Sequence, residues 1–68
     1  MTFKIKDDHI KLSQFLKVIG LIDTGGASKN FLETNTILIN DKVPAGRSAK
    51  LRGGDVIFIN STYYKIEK

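Results

Sequence analysis

The chain has 68 residues, no cysteine, a single histidine (His9) and a formal net charge of +4, with an isoelectric point near 9.6. It is long enough for one domain near the lower size limit for unaided folding, and its residue inventory excludes disulfides, thiolate metal sites and a histidine-rich zinc site. No apolar run approaches the ~20 residues of a membrane span, and the start "MTFKIKDDH" lacks the apolar segment of a signal peptide, so a soluble cytoplasmic protein without membrane contact is expected.

Residues 3 to 5, "FKI", alternate and predict a short strand. Asp7 and Asp8 mark a turn. In "IKLSQFLKVIG", Leu12, Phe15, Leu16 and Ile19 recur at helical spacing and define one apolar face. Ser13 is a candidate cap, and Gly20 a left-handed stop. After the loop "LIDTGG", Thr24 is a natural cap for a second helix running to about Thr34. Ala27, Phe31 and Leu32 would face inward. Asn35 stands where that helix would end in the left-handed region.

Strands follow. "TILIN" is β-branched and apolar. Asn40-Asp41 fits a two-residue hairpin turn with Asp41 at positive φ, and "KVP" starts the return. "RGGD" turns the chain into "VIFIN", and Ser61 and Thr62 turn it into "YYKIEK". The expected fold is a single α+β domain over residues 1–68, two short helices packed on a small, mostly antiparallel sheet. Its core is expected from Leu12, Phe15, Leu16, Ile19, Phe31, Leu32, Ile37, Ile39, Val56 and Phe58, with Phe3 added.

Charge is unevenly spread. Residues 1–34 carry five basic and four acidic side chains, and residues 35–68 carry six and three. The stretch "KVPAGRSAKLR" holds Lys42, Arg47, Lys50 and Arg52 without an acid. Such a run is either a solvated loop or a phosphate-binding stripe. Asp7 and Asp8 are turn neighbours rather than a poised acid/base pair. No other constellation suggests catalysis, a cofactor or a metal site, and so small a domain leaves little room for a deep pocket. A non-enzymatic binding module is expected.

The order of elements resembles the S4-like RNA-binding domain, also called the alpha-L motif. The resemblance is carried without a gap from Lys11 to Lys42, "KLSQFLKVIGLIDTGGASKNFLETNTILINDK". Lys11-Leu12, Gly20-Leu21, and Ile37, Ile39, Asn40 and Lys42 fall on its motif positions. Phe15-Leu16-Lys17, Thr24-Gly25-Gly26, Lys29, Arg47, Lys50-Leu51 and Gly54-Asp55 are similar to the small stand-alone branch called YaaA-like or YbcJ-like. The chain differs from that branch at Ser28, Asp41 and Gly46, where the branch has alanine, glycine and arginine.

The resemblance implies a monomeric module that docks structured RNA, ribosomal RNA or an assembling ribosomal subunit, by backbone and shape. It implies RNA contact by Lys11, Lys17 and Lys29, with Asn30 beside them and Arg47, Lys50 and Arg52 flanking. "TGGASK" is not a P-loop, which needs Gly-x-x-x-x-Gly-Lys-Ser/Thr after a buried strand. Gly25 and Gly26 either let two helices pack closely or leave N–H groups open beside Lys29. Tyr63 shares a strand face with Lys65 and is either an exposed edge tyrosine or a base-stacking ring. Two other readings compete. One is a protein–protein adaptor that keeps the fold. The other is a ubiquitin-like sulfur carrier, which the ending "YYKIEK", without a Gly-Gly tail, argues against.

Overall fold

The computed structural model describes residues 1–68. In chain order the elements are β1 (Thr2–Lys4), β2 (His9–Lys11), α1 (Leu12–Val18), a 3-10 turn (Gly25–Ala27), α2 (Ser28–Thr34), β3 (Ile37–Ile39), β4 (Lys50–Arg52), β5 (Val56–Ile59) and β6 (Thr62–Glu67). The architecture is the expected α+β class. β1, β6, β5 and β3 form one sheet in that order, antiparallel except for the β1–β6 pair. β2 and β4 form a separate antiparallel ribbon.

α1 buries Leu12, Phe15 and Leu16 completely. The Phe15 ring meets Phe3 and Tyr64 edge-on, at centroid separations of 5.2 and 5.5 Å. Each such pair contributes roughly 0.5–1.5 kcal/mol beyond burial. Gly20, at φ +85°, stops the helix as expected. The start differs from expectation. Lys11, not Ser13, is the N-cap, because the chain enters the helix straight from β2.

α2 is preceded by the 3-10 turn. Thr24 stands at the cap position of that turn, but its side chain makes no capping bond. The buried Ser28 hydroxyl instead donates to the Gly25 carbonyl at 2.6 Å. Asn35 is extended (φ −131°, ψ 154°), not left-handed. Its Nδ2 donates to the Phe31 carbonyl, and its Oδ1 accepts from Asn60 Nδ2 at 2.8 Å. This clasp joins the end of α2 to the β5–β6 turn, so a side chain supplies the termination assigned to backbone conformation.

Asn40 and Asp41 both have positive φ, 51° and 67°, as the expected hairpin turn requires. Its return leg is only the isolated bridge between Ile39 and Lys42. Asn40 serves a second purpose. Its Nδ2 donates to Asp55 Oδ1 and its Oδ1 accepts from the Val56 N–H, both at 3.0 Å. Asp55 Oδ2 accepts from the Arg52 N–H at 2.8 Å. The motif residues Asn40 and Asp55 therefore fasten two turns together. The last turn falls at Asn60-Ser61, both at positive φ, one residue earlier than expected.

The core correction is one of parity. Ile57 and Ile59 face inward, opposite Tyr64 and Thr62 on one side and Ile39 and Ile37 on the other. Val56 and Phe58 lie on the outer face. "VIFIN" is apolar at four consecutive positions, so alternation alone assigns no inside; pairing does. Ile5, Ile22, Leu51 and Ile66 complete the core. Ile19, Phe31, Leu32 and Ile39 pack against it only half-buried. β6 is an interior strand, so Tyr63 is exposed on a sheet face and not at an edge.

Candidate nucleic-acid interface

The β2–β4 ribbon explains why the acid-free stretch is not a loose loop. Its central pair, Ile10 and Leu51, turns inward, and Leu51 is completely buried. Directly opposed residues of an antiparallel pair share a face, as do residues two apart on a strand. The pairs His9–Arg52 and Lys11–Lys50 therefore present all four side chains on the outer face of the ribbon. Like charges stand directly opposite each other at Lys11 and Lys50, an arrangement that is mildly unfavourable in the free protein.

The ribbon is continuous with α1. The Leu12 N–H donates to the Ala49 carbonyl at 2.8 Å and the Ser13 N–H to the Arg47 carbonyl at 3.0 Å. Gln14 Oε1 accepts from the Lys11 N–H. These bonds satisfy the helix entrance internally and hold the Arg47–Ala49 segment against it. Arg47 then lines an open groove of about 470 Å³ together with Gly26, Lys29, Leu32, Glu33 and Pro44. Lys11, Lys50 and Arg52 thus share the outer face of the ribbon, and Arg47 and Lys29 line one groove beside α2.

Arg52 and Asp8 form the single ion pair of the protein, long at 3.9 Å and solvent-exposed. Lys11, Lys29, Arg47 and Lys50 are exposed and have no ion-pair partner. Glu33 lines the groove without reaching Lys29 or Arg47. Lys17 is also exposed and unpaired, in the last turn of α1. It lies about 9 Å along the helix from Lys11 at 1.5 Å per residue. Asn30 is not brought to the groove. It borders a different depression with Leu21, Asp23, Thr24 and Phe31.

Gly25 and Gly26 are exposed and neither has positive φ. A Cβ on Gly25 would meet nothing within 4 Å, and one on Gly26 only Thr24 Oγ1 at 3.9 Å. Contrary to the close-packing alternative, helix packing therefore does not require glycine at either position. The sequence pattern gives His9 no role beyond that of an ordinary surface or turn histidine. Its place opposite Arg52 depends on β2 and β4, which the sequence pattern did not reveal.

No helix is long and apolar enough to cross a membrane. A family model described as the S4 domain matches residues 3–67. A Bacillus subtilis (strain 168) protein, the probable ribosome maturation protein RlbA, is similar to this chain. It is 42% identical over 55 residues, which cover 81% of this chain and 78% of that protein. No solved structure matches the chain significantly.

Proposed function

The chain belongs to the S4 domain family, and from that premise we propose that it docks structured RNA through the surface running from the ribbon to α2. The target is ribosomal RNA or an assembling ribosomal subunit, met in the cytoplasm by a monomeric module that performs no chemistry. The observation that carries this reading is the run of exposed cations without partners. Lys11 and Lys50 face each other across the ribbon, and Arg47 and Lys29 line one groove, none of the four with an ion-pair partner.

Elementary electrostatics gives such a surface its use. Each lysine or arginine that neutralises a phosphate displaces counterions condensed on the RNA, and the released ions drive association. Contacts of this kind fix register and orientation without reading sequence. A surface that spans a helix groove and a ribbon suits the shape of a folded RNA better than a linear strand. Lys17 and Asn30 are peripheral in this proposal: Lys17 stands in the last turn of α1 and Asn30 borders a different depression. The ribosome maturation role in the relative's name supports ribosomal RNA as the target.

Co-sedimentation with ribosomal subunits across a salt series tests the reading. Association that weakens steeply with salt supports it. Association that is indifferent to salt favours the adaptor reading, in which an apolar protein contact holds the module.

A further inference from the structure

The outer face of the four-stranded sheet is covered by no other element. Phe58 on β5 stands opposite Leu38 on β3 and Tyr63 on β6. The Phe58 and Tyr63 rings pack at a centroid distance of 4.7 Å and an interplanar angle of 54°. Tyr63 remains 59% exposed. With Val56, Asn40 and Asp41 these rings line a shallow depression of about 380 Å³. Lys65, directly opposite Val56 and two residues from Tyr63, shares this face and has no ion-pair partner. Asp41 is exposed on the opposite rim, and its carboxylate has neither an ion pair nor a hydrogen bond.

We propose that this face is a second RNA contact, a platform on which one unpaired base stacks on Tyr63, with Phe58 buttressing that ring. The occupant is specified by the charged groups that border the rings. A nucleotide has an anionic phosphate at one end, a flat apolar ring in the middle and amino donors on its far edge. Lys65 and the Asn40-Asp41 turn flank Val56 in the row next to the aromatic pair, so a free cation and a free carboxylate both border the rings. Asp41 accepts from an exocyclic amino group, which cytosine has and uracil lacks. The platform therefore prefers cytosine to uracil among bases of equal size. It lies on the sheet, whereas the basic surface is built from the ribbon, the Arg47 loop and α2. It rests on the RNA-binding reading only for the nature of the ligand.

The test is titration of the isotope-labelled protein with short single-stranded oligocytidylate and oligouridylate, followed by amide shifts. The expected result is shifts clustered at residues 56–58 and 63–65, with tighter binding of oligocytidylate. Tyr63→Ala lowers that affinity about 5- to 150-fold, the range for loss of one stacked base, and Tyr63→Phe retains it. Asp41→Gly, which removes the acceptor and fits the positive φ of this position, abolishes the cytosine preference. Fully paired RNA, measured in parallel, is bound equally by Tyr63→Ala and wild type. The platform is overturned if oligocytidylate shifts only the amides around Lys29 and Arg47, or if folded Tyr63→Ala binds it like wild type. Salt-dependent binding of paired RNA then decides separately whether the basic surface stands.

Discussion

Replacing Lys50 by glutamate should stabilise the free protein while weakening RNA binding. Lys50 stands directly opposite Lys11 in the ribbon, and the Cβ atoms of such pairs are ~5 Å apart. With the ammonium groups relaxed to roughly 6 Å, their repulsion is about 0.7 kcal/mol in water. At physiological ionic strength, with a Debye length of ~8 Å, about half of that survives. Lys50→Glu converts repulsion into attraction of similar size. The expected gain is about 1.4 kcal/mol at very low salt and about 0.7 kcal/mol at physiological salt. Urea unfolding followed by far-UV circular dichroism reads it. With a slope of ~1 kcal/mol per molar for so small a protein, the midpoint should rise by roughly 1.4 and 0.7 M respectively. RNA affinity should fall in the same variant, since a phosphate contact is replaced by a repelling charge. A destabilised Lys50→Glu at low salt, or a gain that does not shrink as salt is added, would refute the cross-strand pairing and the surface built on it.

Two further outcomes test the fold. Ile57→Ala removes a completely buried side chain and should cost about 2–5 kcal/mol, whereas Val56→Ala on the open face should cost about 1 kcal/mol; equal losses in urea unfolding would reverse the assigned sheet parity. Asp41→Gly should be neutral or slightly stabilising, because glycine reaches φ 67° without strain; a clear drop in melting temperature would show that the Asp41 side chain supports the turn.

The helical face of α1, the Asn40-Asp41 turn and the Gly20 stop were legible because each depends on local spacing or local φ. What stayed hidden was non-local. β2 and β4 are three residues each, too short for an alternation to register, and they exist because Ile10 and Leu51 meet across 41 residues of chain. Leu51 therefore stands out in the sequence only within a basic stretch and a family motif, although it anchors that stretch to the core. The fully apolar β5 gave no sign of which alternate residues were inside, so Val56 and Phe58 were placed on the wrong face. Among the site residues, Lys29 and Arg47 were nominated by resemblance from distant positions, and folding lines one groove with both. Asn30, nominated with them, borders a different depression because successive helix residues point about 100° apart.

The central claim is that Lys11, Lys29, Arg47 and Lys50 act together on RNA phosphates, and the salt dependence of binding tests it most directly. Affinity for a structured ribosomal RNA fragment is measured at several salt concentrations for wild type, Lys29→Ala, Arg47→Ala and the double variant. Lys4→Ala, on the edge strand β1, serves as control. Each lost contact should flatten the plot of log affinity against log salt by ~0.7–0.9, so the double variant should lose about twice as much slope as either single one. Lys4→Ala should match wild type. Unchanged slopes in the Lys29 and Arg47 variants, or a wild type whose binding ignores salt, would contradict the account.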